Sequence, residues 1–278
     1  MRTEDLQKKA AQVRLDALTS TTKAGSGSSG SCMSVVEILV SLYYGELLGE
    51  KVFKCDPERP GIEDRDHLVL SKWKSVPTQY AILADLGFFD KSELDYLGQE
   101  AAMLKPWPDA KVPGISATMR GYGHGLSVAV GMALSLKMSR NSNKVFAVMG
   151  DGELQEGQVW EAAMSAAHYK LNNLIAFVDC NKIQAGGFVN SVMDIGHVQD
   201  KFEAFGWSVI QVMDGHNFDK ILDAVARAFT ANRRPVCIWC HTVAGKGIDF
   251  AERKPGYLHV PLSESEMAEV EPKLRQLL

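Results

Sequence analysis

From residue 124 onward the chain alternates short apolar runs with helical patterns, and this alternation limits the possible folds more than any other feature. KVFAVM (144–149), LIAFVDC (174–180), WSVIQVM (207–213) and PVCIWCHT (235–242) read as buried strands. Between and before them stand LSVAVGMALSLKM, VWEAAMSAAHYK and the segments 198–205 and 217–231, all with helical spacing. Near-continuous apolar strands alternating with helices specify an α/β fold: a parallel sheet with helices on both faces. Such sheets bind their ligands at the carboxyl ends of the strands.

The first 123 residues are less regular. Residues 3–20 read as an amphipathic helix through Leu6, Ala10, Val13, Leu15 and Leu18. AGSGSSGS (24–31) follows, either a flexible linker or a tight turn facing a ligand, and leads into a helix at SVVEILVSLYYGELL. HLVLS (67–71) reads as a strand, with a helix near 76–87 and a short one near 91–97. Residues 98–123 look irregular. No internal repeat or composition shift marks a boundary, so residues 1–278 are expected to form a single domain.

Composition excludes several classes. With 46% hydrophobic and 23% charged residues the chain resembles an ordinary soluble globular protein. A net charge of -4 gives no nucleic-acid footprint. No apolar run approaches the roughly 20 residues that cross a bilayer. The N-terminus lacks an apolar signal core, and a cytoplasmic location is expected. The five scattered cysteines do not suggest a disulfide framework. Cys237 and Cys240 form a CxxC, but it lies within an apparent buried strand and lacks a second ligand pair for zinc.

The chemistry concentrates in GDGELQEGQVWEAAMSAAHYKLNNLIAFVDCNKI (150–183). GDG ends one strand and Asn181 follows the next, one βα unit later, which places Asp151 and Asn181 side by side at one sheet edge. Gly150 and Gly152 let the backbone approach an anion, and the following helix offers free N–H groups to a phosphate. A carboxylate, an amide oxygen and a backbone carbonyl make a hard-oxygen set of the kind that holds Mg²⁺ together with substrate phosphates. The residues thus read as a Mg²⁺–diphosphate site.

GDG…N resembles the thiamine diphosphate signature, and the flanking text resembles the N-terminal part of transketolase. HLVLSK, GHGLSVAVGMALSLK, FEAFGWSVIQVMDGHN and HTVAGKG run in family order through nearly the whole chain. The resemblance implies a thiamine diphosphate-binding fold with Asp151, Asn181 and the Ile183 carbonyl on the metal. Gly152 would meet the diphosphate, within a cofactor-binding turn of Gly150, Asp151, Gly152 and Glu153. Glu156 and Glu161 match family glutamates near the cofactor and subunit interface, with solvated helix charge as the alternative. His259 approximates a family histidine near the diphosphate, and Lys246 could approach the same region. Full transketolases are more than twice as long, and their second domain holds the glutamate that activates the cofactor's pyrimidine ring. The resemblance therefore implies a split enzyme: a homodimer of this chain joined to two C-terminal, pyrimidine-binding subunits, α₂β₂.

The chain departs from the family where transketolases line the substrate channel with histidines. GSSG, SKWKS and PWP stand at three such places, putting Ser28, Lys74 and Trp107 in the histidines' positions. MRGYGHG introduces Arg120 and His124. A serine, a fixed cation and an indole cannot reproduce three imidazoles near neutral pH. Acid–base work is then expected from His124, His259 or the partner, on a substrate that is smaller or less hydroxylated than a sugar phosphate. His197 and His216 carry no comparable signal, and His168 suits a core or interface position better than chemistry. The leading expectation is two-carbon ketol or acyl transfer from a ketose or 2-oxo acid to an aldehyde or ketone. The alternatives are the α-subunit of a 2-oxo-acid dehydrogenase and a non-catalytic, cofactor-binding regulatory subunit.

Overall fold

The computed structural model describes residues 2–60, 65–231 and 233–278. The helices are α1 (Thr3–Ala24), α2 (Ser29–Ser34), α3 (Val36–Tyr44), α4 (Val76–Asp85), α5 (His124–Met138), α6 (Gly157–His168), α7 (Val189–Met193), α8 (Val198–Ala204), α9 (Phe218–Phe229) and α10 (Glu264–Arg275). The strands are β1 (Glu46–Leu47), β2 (Glu50–Lys51), β3 (His67–Leu70), β4 (Val145–Gly150), β5 (Leu174–Cys180), β6 (Ile183–Gln184), β7 (Gly187–Phe188), β8 (Ser208–Val212) and β9 (Val236–His241). Strands β3, β4, β5, β9 and β8 form one sheet in that order, with every neighbouring pair parallel. Strands β1–β2 and β6–β7 are two-residue antiparallel ladders outside it.

The side-chain period of a strand divides the interior into two cores. Along β4, Phe146 and Val148 enter one core, and Val145, Ala147 and Met149 enter the other. Helices α1, α3, α4 and α9 cover the first face; α5, α6 and α8 cover the second. Both faces are therefore dry, which is why β4 and β5 read as unbroken apolar runs. The same period separates Cys237 from Cys240: one thiol lies in each core, so the CxxC cannot chelate a metal.

Several local expectations change. The helix expected from residue 34 begins at Ser29, inside the small-residue loop, breaks at Val35 and stops at Gly45. The Gly45 N–H bonds the Ser41 carbonyl, and a Cβ there would lie 2.1 Å from that oxygen. The segment near 91–97 is a 3-10 helix, Lys91–Tyr96, capped by Asp90. Helix α10 is an addition to the expected elements, although Ser263 and Glu266 form a capping box that signals its start. Its Met267, Val270 and Leu274 join the first core.

Register positions the site. Gly150 pairs with Asp179 across β4 and β5, and Asp179 pairs with Cys240 of β9. Both ends of GDG…N therefore leave the sheet at the same edge. Beside them, the Thr242 N–H donates to the Cys180 carbonyl at 3.1 Å. On the other flank α5 lies close over β3, because a Cβ on Gly125 would fall 2.3 Å from the Ser71 side chain and 2.7 Å from its Cα. Gly125→Ala is expected to push α5 off β3 and cost about 1–3 kcal/mol, the usual range for overpacking. Urea unfolding of the purified chain measures it, and an unchanged midpoint would show that this approach is not tight.

Candidate active site

Asp151 and Asn181 are both 5% exposed and lie side by side at the carboxyl edge of the sheet. Asp151 accepts from the Gly152 N–H at 2.9 Å and from the Lys182 N–H at 2.6 Å. Asn181 Oδ1 accepts from the Ile183 N–H at 3.0 Å. Asp151, Asn181 and Ile183 line a cleft of about 200 Å³ together with Gly150, Gly152 and Glu156. Burial and the neighbouring Asp179 carboxylate push the Asp151 carboxyl up to about 7. A carboxylate held this way gains from an added cation.

Beneath this set is a network that periodicity and motif do not announce. Asp179, with no exposed surface, pairs with the buried Lys72 ammonium. Its Oδ2 also accepts from Ser34 Oγ at 2.7 Å and Asn181 Nδ2 at 3.4 Å, and its Oδ1 accepts from Thr242 Oγ1. Lys72 Nζ reaches the Ser31 carbonyl at 3.2 Å and Ser34 Oγ at 2.8 Å. The network ties α2, the end of β3, β5 and the segment after β9 into one floor. One signal in the sequence points to it: a carboxylate closing the apolar run LIAFVD needs a buried partner.

Glu153 belongs to the same floor. Burial pushes its carboxyl up to about 7. One oxygen takes the Ser71 hydroxyl and the other the Gly150 N–H at 3.4 Å, while Ser71 Oγ accepts from the Gly125 N–H at 3.2 Å. Glu153 thus braces the turn from below. A 3-10 turn, Gly152–Gln155, separates GDG from α6, so it is this turn that faces the cleft rather than the first turn of a helix.

The opposite wall forms where residues 28–31 meet 257–260. Ser29 N–H donates to the Val260 carbonyl at 2.9 Å and Ser31 N–H to the Leu258 carbonyl at 3.2 Å. Gly30 permits this approach, since a Cβ there would lie 2.9 Å from the Leu258 Cα. The small-residue stretch is therefore no linker: a short turn runs into the first turn of α2 at the cleft, with Ser31, Leu258 and His259 in the lining. Burial, with the Lys74 and Lys72 charges, holds His259 down to about 4, so its ring is neutral at physiological pH. Its buried Nδ1 has no hydrogen-bond partner. Lys74 also lines the cleft, its ammonium 5.5 Å from the Trp73 ring centre, and burial lowers its pKa.

Other expected residues stand elsewhere. Lys246 is not in the cleft lining: its ammonium pairs with Glu252 at 3.4 Å. His124 is exposed at the start of α5, with its ring against Gly121, and also lies outside the lining. Trp107 is half-buried under the Arg120 guanidinium, 3.9 Å from the ring centre, and Ser28 is buried beside the lining rather than in it. Glu161 and His168 lie on α6, both exposed, and His168 is not a core residue. His216 has a structural task. Its Nε2 accepts the Val243 N–H at 2.8 Å and its Nδ1 bonds Glu37 at 2.8 Å, while Arg14 grips Glu37 at 2.7 Å. Arg14 Nε also donates to the Lys246 carbonyl at 3.1 Å, which fixes the HTVAGKG backbone. His197 lines a second, larger cavity of about 820 Å³ that shares Asp151, Asn181 and Ile183 with the cleft.

Residues 6–275 match the family described as transketolase, thiamine diphosphate binding domain. The chain belongs to this family. It is 41% identical over 261 residues to the 6-deoxy-6-sulfo-D-fructose transketolase subunit SqwG of Clostridium sp. (strain MSTE9), covering 94% of this chain and 92% of that one. It is 35% identical over 243 residues to an apulose-4-phosphate transketolase subunit of Phocaeicola vulgatus, covering 87% and 84%. Among solved structures, the transketolase of Campylobacter jejuni superposes with a TM-score of 0.91 at 27% identity, over 99% of this chain but 43% of that one.

The floor network makes a sharp energetic prediction. Asp179→Leu alone strands a buried ammonium and is expected to cost about 3–5 kcal/mol, whereas Lys72→Met with Asp179→Leu recovers most of that loss. Guanidinium unfolding of both variants checks it. A double variant no more stable than Asp179→Leu would mean that the pair is not what couples these elements.

Proposed function

We propose that this chain is the diphosphate-binding subunit of a two-component, transketolase-like transferase. Residues 1–278 act as one thiamine diphosphate domain, with Mg²⁺ on Asp151, Asn181 Oδ1 and the Ile183 carbonyl. The observation that carries the reading is the pairing of Asp151 with Asn181 at one sheet edge, above the Lys72–Asp179 floor. The donors fit the group. Among the described residues no cluster of three or more His, Cys, Asp or Glu side chains could hold a metal. A single carboxylate with neutral oxygens suits a cation that is shared with a diphosphate. His259 and Lys74 line the same cleft, and a neutral imidazole and a cation suit diphosphate oxygens.

Thiamine diphosphate, when bound, supplies the electron sink for cleaving the carbon–carbon bond beside a donor carbonyl. The chain's own residues bind and orient. Asp151, Asn181 and Ile183 hold the metal, and Gly152 brings its backbone to the diphosphate. His259 stays neutral and offers a hydrogen bond, and Glu156, at the rim of the cleft, is the candidate for proton traffic toward the second active site. The groups that activate the pyrimidine ring come from a companion subunit. Two relatives named as subunits, matched over 92% and 84% of their lengths, support that division.

Two surfaces suit an α₂β₂ assembly. Met138, Met164 and Tyr169 are exposed on and beside α5 and α6 and fit self-association. Phe188, Val192, Met193 and Met213 are exposed on or beside the rim of the larger cavity and fit the companion. The five cysteines are free thiols, and on that ground we assign the enzyme to the reducing cytoplasm. Among the described residues no helix is long and apolar enough to cross a membrane.

Turnover is expected only when this chain is combined with its companion. Asp151→Ala should abolish Mg²⁺-dependent cofactor binding while leaving the fold intact. Calorimetry with thiamine diphosphate and Mg²⁺ tests the site, and unchanged affinity in the Asp151 variant would refute it.

For specificity, Lys74 offers a fixed cation where the family has an imidazole. One relative is named for a 6-deoxy-6-sulfo sugar, which is both deoxygenated and anionic. We therefore expect poor kcat/KM with xylulose 5-phosphate and ribose 5-phosphate, and better values with deoxygenated anionic ketoses or 2-oxo acids. Steady-state kinetics over such a panel decides it. Efficient use of the ordinary pentose phosphates would show that Lys74 does not set specificity.

A further inference from the structure

Two glutamines join the halves of the site from above. Gln155 Nε2 donates to Gln184 Oε1 at 2.7 Å, and Gln184 Nε2 returns a bond to Gln155 Oε1 at 3.3 Å. Gln155 Nε2 also reaches the Met193 carbonyl at 2.9 Å. Gln155 ends the 3-10 turn after GDG, and Gln184 follows Ile183 in β6. Both glutamines line the cleft. Gln184 lies directly across Gly152, where a Cβ would meet the Gln184 Cβ at 2.8 Å.

Ile183 is buried beside Ala244 and Leu258 and Ile195 packs against the second core, but the segment between them has little else to fix it. From Ala185 to Gly196 no residue is buried, and Phe188, Val192 and Met193 are each nearly half exposed. Its regular structure amounts to a two-residue ladder, Ile183–Phe188 and Gln184–Gly187, and the five-residue helix α7. The backbone bond from Val189 N–H to the Lys182 carbonyl closes the ladder, at 3.0 Å. The Gln155 amide spans this unit, gripping its first strand through Gln184 and its far end through Met193. Few buried contacts and many exposed backbone groups mark a segment of low local stability. Paired amide bonds are then a large share of what orders it.

We propose that Gln155 and Gln184 are positioning residues: their paired amides hold residues 182–193 against the diphosphate turn and so fix the Ile183 carbonyl beside Asp151 and Asn181. The proposal rests on the metal-site reading, because a fixed Ile183 carbonyl matters only if a metal uses it. Removing either amide breaks the same pair, so the two residues act as one unit, and their effects do not add.

The test uses Gln155→Leu, Gln184→Leu and the double variant, with Asp151→Ala as a control. Hydrogen exchange on the cofactor-free chain reads the order of residues 182–193. Calorimetry with thiamine diphosphate and Mg²⁺, on the chain combined with its companion, reads the positioning. Each single variant should speed exchange in 182–193 and weaken Mg²⁺-dependent affinity by roughly three- to tenfold, the scale of one net hydrogen bond. The double variant should be no worse than the weaker-binding single one, and the unfolding midpoint should stay within error of the parent. Unchanged exchange, unchanged affinity or additive losses would each overturn the pairing. If Asp151→Ala leaves affinity intact, the metal-site reading fails instead, and the exchange result still judges the latch.

Discussion

The parallel pairing of β4 with β5 is the constraint on which the rest depends. Its register sets Gly150 opposite Asp179, so the two chain segments that carry GDG and Asn181 leave the sheet together. A slip of one residue would turn every side chain of a strand to the other face. Here such a slip would bury Phe146 and Val148 among the small residues of α5 and α6, and the two unequal cores forbid it. The juxtaposition of Asp151 and Asn181 is therefore specified by apolar packing some distance below it.

Burying charge under the site is the second cost the fold meets. Asp151, Asp179 and Glu153 are three buried carboxyls clustered at the ends of β4 and β5. Lys72 pairs with one of them, and its charge also favours ionisation of Asp151 and Glu153. Burial still wins at Asp151 and Glu153, so both titrate near neutrality. The arrangement leaves a site short of positive charge beside backbone N–H groups and cations suited to anions. A metal and a diphosphate arriving together complement both deficits.

How much of this is legible in the sequence depends on the range of the interaction. The parallel sheet, its two-sided burial and the neighbouring Asp151 and Asn181 follow from strand periodicity and one βα spacing. The Lys72–Asp179 pair joins residues 107 positions apart and has no periodic signature. Only a lone charge at the end of an apolar run hints at it. The Gln155–Gln184 pair likewise depends on how two loops fold over the sheet edge. Trp107, Ser28 and Lys246 lie outside the cleft lining, on irregular segments whose side-chain direction a motif does not fix. Lys74 and His259 do reach the cleft, each carried there by an element anchored to the floor: Lys74 by the turn after β3, and His259 by the clasp of 28–31 on 257–260.

The central claim is that the metal and diphosphate meet at the paired ends of β4 and β5. A crystal of the chain with its companion, thiamine diphosphate and Mn²⁺ in place of Mg²⁺ tests it through anomalous scattering. The account predicts one strong peak bonded to Asp151, Asn181 Oδ1 and the Ile183 carbonyl, with diphosphate oxygens completing the shell. A peak in the larger cavity near His197 and His241, away from Asp151, would contradict it.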